Sequence, residues 1–176
     1  MVFCGNKQIK QIYSGLTEVK SVWCGSKQVW VKEEPVTYAP LCFTAEEANS
    51  TLKLVKGKNI ADVVLKCSTD GEVWEDFAFG QDYTLANVGD KLYLKSGGST
   101  TFSIGASYTR DLLYFEMTGK IAASGSVQYL IDPEGKRKDV EPFCFAKLFY
   151  YCSAVLTTAP ELPATQLANY CYNTMF

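Results

Sequence analysis

The sequence predicts a mainly β protein built in parts, and three observations predict it. A glycine recurs every ten residues through the first 32 positions. Beyond residue 40, short runs such as Lys91-Leu-Tyr-Leu-Lys95 and Thr51-Leu-Lys-Leu54 alternate apolar and polar residues, as half-buried strands do. Turn-forming residues fall between those runs at Asp70-Gly71, Gly89-Asp90, Gly97-Gly98 and Ser124-Gly125. The expected order is a small N-terminal β-meander over 1–32, a linker over 33–40, an Ig-like β-sandwich over 41–132 and a short C-terminal α/β segment over 133–176.

In the first part the ten-residue units begin at Phe3, Tyr13 and Trp23, each an aromatic residue followed two places later by Gly5, Gly15 or Gly25. Ile or Val occupies the seventh position of each unit. Glycine supplies turn conformations that other residues resist, so the spacing reads as strands separated by turns. Alternation along a strand puts Tyr13 and Trp23 on one side and Ile12 and Val22 on the other. Both faces are then partly apolar, and a ribbon of three strands buries neither well. Tyr13, Trp23, Ile12 and Val22 are therefore the candidate partner-binding residues, forming an anchor against another chain. The prolines and paired acids of Glu33-Glu-Pro-Val-Thr-Tyr-Ala-Pro40 resist regular structure and read as the linker.

Eight strand candidates follow: Leu41–Thr44, Thr51–Lys56, Asp62–Cys67, Val73–Phe79, Lys91–Lys95, Thr101–Gly105, Leu112–Met117 and Ser126–Ile131. Short strands at such spacing predict the sandwich. The third part opens on Pro142-Phe-Cys-Phe-Ala-Lys-Leu-Phe-Tyr-Tyr-Cys152, an aromatic run expected to begin a short helix. Cys144-Phe-Ala-Lys-Leu-Phe149 is echoed by Cys171-Tyr-Asn-Thr-Met-Phe176, 27 residues on, and that period is in the range of stacked repeats.

Composition limits the function classes. Hydrophobic residues make up 47% and charged residues 20%, the balance of a globular chain. The net charge is −2 and the sequence pI about 5.2, which opposes nucleic acid as a partner. Lys136-Arg137-Lys138 is flanked by Glu134 and Asp139 and reads as a solvated turn. With no histidine there is no Ser-His or Cys-His catalytic pair. The seven cysteines form no C-x-x-C pair and read as buried free thiols of a protein folded in reducing surroundings. No run of residues is long and apolar enough to span a membrane.

Other constellations favour plain readings. Ser68-Thr-Asp-Gly-Glu-Val-Trp74 resembles the Asp-box of sialidase-like propellers but lacks a residue between Asp and Gly; Asp70-Gly71 reads better as a two-residue hairpin turn. Glu72, Glu75 and Asp76 interleave with Val73 and Trp74 and read as a solvated strand edge rather than a calcium loop. Glu33-Glu34 and Glu46-Glu47 are sequence neighbours, which do not face each other across a sugar. Trp23, Trp30 and Trp74 invite a sugar-stacking platform, against which stands the commoner place of Trp in a core. No catalytic, cofactor-binding or metal site is expected.

The phrase from Leu156-Thr-Thr-Ala-Pro-Glu-Leu-Pro-Ala-Thr-Gln-Leu-Ala168 to Phe176 resembles the BspA-like leucine-rich repeat over its whole length. Leu85–Leu94 and Met117–Ser126 look like the β domain that often precedes such repeats. The Gly-x-Lys-x-Ile/Val units are similar to segments at the start of structural and fibre proteins of phages infecting gut bacteria. These resemblances imply adhesion or host binding and no enzyme. The expectation is a bacteriophage virion structural or fibre protein, assembled in the host cytoplasm and anchored through its N-terminus. Its implied partners are other virion proteins, further copies of itself (a trimer among the options) and a host-surface glycan or protein. The alternative is an exported bacterial adhesin or glycan-binding module. The N-terminus lacks a basic segment followed by an apolar run, which favours the phage reading. The chain ends inside its second repeat, which predicts either a piece of a longer repeat protein or a partial repeat capping the sandwich.

Overall fold

The computed structural model describes strand residues 3–4, 7–8, 12–14, 17–19, 21–24 and 27–31, and residues 38–57, 63–102 and 113–176. The chain is mainly β and divides into two compact units, Met1–Val36 and Thr37–Phe176. The turn residues Gly5, Gly15 and Gly25, most of the 33–40 linker and the end of the Thr101–Gly105 strand candidate lie outside the described residues.

In the first unit lie β1 (Phe3–Cys4), β2 (Lys7–Gln8), β3 (Ile12–Ser14), β4 (Thr17–Val19), β5 (Ser21–Cys24) and β6 (Lys27–Val31). They pair antiparallel as β1–β2, β3–β4 and β5–β6. Each ten-residue unit thus contributes a hairpin about its glycine, where a meander would have used each unit as one strand. Cys4 pairs with Lys7, Ser14 with Thr17 and Cys24 with Lys27, so two residues, glycine first, join each pair of ends. That is the shortest common hairpin connection, and glycine in its first position is a preferred residue there.

The second unit holds β7 (Leu41–Ala45), β8 (Ser50–Val55), β9 (Leu65–Ser68), β10 (Glu75–Asp76), β11 (Tyr83–Leu85), β12 (Lys91–Ser96), β13 (Tyr114–Thr118), β14 (Ile121–Ser124) and β15 (Leu156–Thr158). One sheet has the order β10-β9-β12-β7-β14-β15 and the other β11-β8-β13. All pairs are antiparallel except β14–β15, which is parallel and makes the larger sheet mixed. Strand alternation decides which side chains enter the core. Leu52 and Leu54 of β8, Leu92 and Leu94 of β12, and Leu41 and Phe43 of β7 are buried. Phe43 meets Phe115 of β13 edge-to-face at 4.9 Å, so the sheets share one apolar core. Burying each such side chain contributes roughly 1.5–3 kcal/mol.

Three residues from the end of the expected linker are tied to this unit. Tyr129 donates its hydroxyl to the Tyr38 carbonyl at 2.8 Å, Ser126 donates its amide to the Ala39 carbonyl at 3.0 Å, and Pro40 bridges Ser126 in parallel. Gly125 makes this approach feasible, because a Cβ there would lie 2.1 Å from the Pro40 carbonyl oxygen.

The β9–β10 connection differs from the expected two-residue turn. Cys67 pairs with Glu75, so residues 68–74 form a longer loop. One Asp70 carboxylate oxygen accepts the amides of Glu72 and Val73 at 2.8 and 2.9 Å and the Ser68 hydroxyl at 2.8 Å. The side chain supplies acceptors that a tight turn would have drawn from backbone.

The aromatic run after Pro142 forms no α-helix. Its amides alternate. Those of Cys144, Ala146, Leu148 and Tyr150 reach back three residues to Glu141, Phe143, Phe145 and Lys147. Those of Phe143, Phe145, Lys147 and Phe149 point sideways, to the carbonyls of Asn169, Cys171, Asn173 and Met175 at 2.7–3.2 Å. Half the donors a helix needs are spent on a neighbouring stretch of chain. Only a single 3₁₀ turn, Tyr150–Cys152, follows.

Those sideways bonds join two coils, one running from β14 to Phe149 and the other from β15 to Phe176. Ile121 pairs with Leu156, Ser126 with Glu161 and Asp139 with Gln166, all in parallel. The backbone repeats too. Phe143 and Tyr170 have φ of 58° and 60°, and Lys147 and Thr174 have 60° and 47°. Rings 27 positions apart stack: Phe143 on Tyr170 at 5.1 Å, Phe145 on Tyr172 at 5.8 Å and Phe149 on Phe176 at 5.5 Å. Phe149 also stacks on Phe115 at 5.2 Å, which carries the ladder into the shared core.

Candidate binding surfaces

The four expected anchor residues lie on two hairpins. Ile12 and Tyr13 are in β3, in register with Val19 and Glu18. Val22 and Trp23 are in β5, in register with Trp30 and Gln28, with a register shift between them. Val22 is half-buried, whereas Trp23 is 58% exposed and donates its ring N–H to the Ser21 hydroxyl at 3.2 Å. The side chains of Ile12 and Tyr13 lie outside the described residues. Among the described residues no ladder joins the two hairpins, so the pairing unites Val22 with Trp23 but not all four residues. An indole this exposed, on a strand, is the kind of side chain that a partner's surface covers.

A second surface is the outer side of the second coil, where Leu162, Leu167, Tyr170 and Phe176 are exposed. The sequence signal for it was present in the echo of Cys144–Phe149 by Cys171–Phe176. What the echo alone does not tell is which coil is covered and which is bare.

A third surface sits on the outward face of the larger sheet. Tyr93 of β12 is flanked in register by Ser68 and Cys42. The Lys95 ammonium lies 3.9 Å from the centre of the Trp74 ring, a cation–π contact. Gly71, at φ 81°, passes against the Tyr93 ring. Nothing in the local sequence foretold the Lys95–Trp74 pair, which the register of β9, β10 and β12 brings together. The Asp70 carboxyl beneath this loop is held below its ordinary range, first by the amides of Glu72 and Val73 and then by the Ser68 hydroxyl. Glu75 and Asp76 are exposed, and Asp76 pairs with Lys66 at 2.6 Å.

The basic run is tied to its own neighbours. Lys136 pairs with Glu134 at 2.6 Å, and Arg137 with Asp139 and Glu141 at 2.7 and 3.2 Å. Arg137 also donates to the Thr100 carbonyl. Cys42, Cys67, Cys144, Cys152 and Cys171 are buried and Cys24 is exposed, and none of the six is in a disulfide. Burial pushes the Cys152 thiol up to about 12, so it is not a nucleophile at neutral pH. Among the described residues no group of three or more Cys, Asp or Glu gathers around a common point. No family model matches the chain, and neither a curated protein nor a solved structure matches it.

Proposed function

We propose that this chain is a bacteriophage virion structural or fibre protein that works by binding. Its N-terminal hairpins anchor it to other virion proteins or to further copies of itself. Its second unit is displayed for host-surface attachment or particle decoration. The observation that carries the reading is the first unit itself: three hairpins of one sequence pattern in a compact unit of their own, with Trp23 58% exposed. In the same reading the two sheets are an Ig-like β-sandwich, and the coils from β14 and β15 begin a BspA-like leucine-rich repeat. The shared core of the sheets and the 27-residue stacking period support those assignments.

Covering an indole or a branched aliphatic side chain contributes roughly 1.5–3 kcal/mol, so a few such contacts suffice to hold a short ribbon. Expression of the chain without residues 1–32 in infected cells, followed by mass spectrometry of purified particles, tests the anchor. The full chain should be present in particles and the truncated one absent. Incorporation of both, or of neither, would overturn the proposal.

The alternative, an exported adhesin or glycan-binding module, draws on the half-buried cluster of Trp74, Lys95 and Tyr93 on the outward side of the larger sheet. A glycan array probed with the full chain separates the readings. Binding that is lost in Trp74→Ala, together with absence from particles, would move the assignment to this second function.

A further inference from the structure

Two of the buried thiols stand opposite each other between the coils. The amides of Phe143, Phe145 and Lys147 donate to the carbonyls of Asn169, Cys171 and Asn173 at 3.2, 2.8 and 3.0 Å. The Phe145 bond sets Cys144 in parallel register with Cys171, 27 residues on. The ring pairs on either side keep that spacing: Phe143 lies 5.1 Å from Tyr170, and Phe145 lies 5.8 Å from Tyr172. Backbones joined in this way run about 5 Å apart. A disulfide needs Cα atoms about 4.4–6.8 Å apart, so the register holds the pair within reach of one. Both side chains belong to the core, Cys144 at 1% exposure and Cys171 at 5%. Both thiols also act on one group. The buried Tyr172 hydroxyl, which has no hydrogen-bond partner, is pushed up first by burial and then by the Cys171 and Cys144 thiols. The other buried thiols are engaged elsewhere. Cys152 donates to the Phe115 carbonyl at 3.1 Å, Cys67 meets the Glu75 carboxylate and the Tyr83 hydroxyl, and Cys42 meets the Thr44 hydroxyl.

We propose that Cys144 and Cys171 are a redox-responsive pair, which closes a disulfide between the two coils when the chain leaves reducing surroundings. The oxidant is a low-molecular-weight disulfide. One protein thiolate attacks it, releasing one small thiol and leaving a mixed disulfide. The second protein thiolate displaces the other small thiol, and the protein disulfide forms. The two protein thiols lose two electrons and two protons, and the small disulfide becomes two thiols. Burial raises the Cys171 thiol, so exchange waits on a local parting of the coils and is slow. Once closed, the bond is shielded from reductant by the same core. It adds a covalent tie to a contact otherwise held by backbone bonds and stacked rings.

The pair does not depend on the N-terminal anchor, so its failure would leave that reading standing. The test uses the full chain, purified under reductant and then held in buffers with a rising ratio of oxidised to reduced glutathione. Remaining thiols are alkylated, and linked peptides are identified by mass spectrometry, with fragmentation to distinguish Cys171 from Cys152. The expected product joins Cys144 to Cys171. The oxidised chain should melt about 5–10 °C above the reduced one, and reductant should restore the lower midpoint. Cys171→Ala should abolish both the link and the redox dependence of melting, whereas Cys152→Ala should keep both. Should a variant not fold, the linked peptides of the parent chain decide. Full alkylation of both thiols after prolonged oxidation would overturn the proposal. So would a link from either thiol to another cysteine, a link that forms only in denaturant, or a link that leaves the midpoint unchanged or lowers it.

Discussion

The Asp70 carboxylate accepts two backbone amides and a hydroxyl, and Gly71 beside it holds φ at 81° against the Tyr93 ring. The residue types at these positions were legible as turn formers, but the length of the loop was not. An Asp-Gly pair favours a two-residue hairpin until its carboxylate finds amides further along the chain, and that depends on where β10 pairs. A carboxyl held below its ordinary value stabilises the fold above that value, and the contribution is lost as pH falls through the folded one. Asp70→Ala should therefore lower the melting temperature at pH 7. The gap to the parent should close in acid, below the ordinary aspartate range. Gly71→Val should lower it at every pH, since a branched residue in left-handed backbone costs about 1–2 kcal/mol and each kcal/mol moves the midpoint by about 2–4 °C in a chain of this size. Thermal melts of both variants from pH 2.5 to 8 measure this. A pH-independent gap for Asp70→Ala would show that the loop is held by something other than its ionised carboxylate.

At the scale of elements, β8 and β12 were readable from their alternation, whereas β14, with Ile121 and Ala123 buried, was not among the expected strands, and the strand expected over Ser126–Ile131 is a 3₁₀ turn at Val127–Leu130. Thr51–Leu54 and Lys91–Lys95 alternate in sequence and in burial, because half-buried strands impose a period of two. The aromatic run over Pro142–Cys152 was harder to read. Its apolar density suits a helix as well as a coil, and only the partner stretch at 169–175 decides where its amides go. The 27-residue echo held the information, in residues 143 to 149 and their counterparts. In the first unit the glycine spacing was legible, yet one hairpin per unit, in place of one strand, follows from pairing across each glycine. The coil stack makes a quantitative expectation. Phe149 is enclosed between two rings, so Phe149→Ala should cost about 3–5 kcal/mol, the range for removing a buried aromatic side chain. Phe176→Ala, at a half-exposed ring of the same ladder, should cost less than half of that. Urea denaturation gives both values, and equal losses would mean that Phe176 is covered as Phe149 is.

For the whole molecule, the described residues of the shared apolar core run from Leu41 to Met175. The sequence marked the change of character near residue 33 through its acids and prolines, though the residues from Tyr38 to Pro40 are bound to the second unit by Tyr129 and Ser126. The segment after Pro133 reads as distinct in composition, yet Phe145, Leu148 and Phe149 pack into the same core as Phe43 and Phe115. Periodicity reports which face of an element is apolar and leaves open which other element covers it, so the joining of these segments is not visible in either one alone. The core of the second unit predicts how the chain unfolds. Residues 37–176 form a compact unit in which every described member of that core lies, so they should melt cooperatively on their own within about 2 °C of the full chain's main transition, a shift of less than about 1 kcal/mol. Removing residues 156–176 instead strips the cover from Phe149 and the parallel partner from β14, and should abolish the cooperative transition. Calorimetry of the two truncations beside the full chain separates these outcomes. A main transition lowered by many degrees on loss of 1–36 would show that the hairpin unit stabilises the body it precedes, and its free energy would then have to be counted with the core.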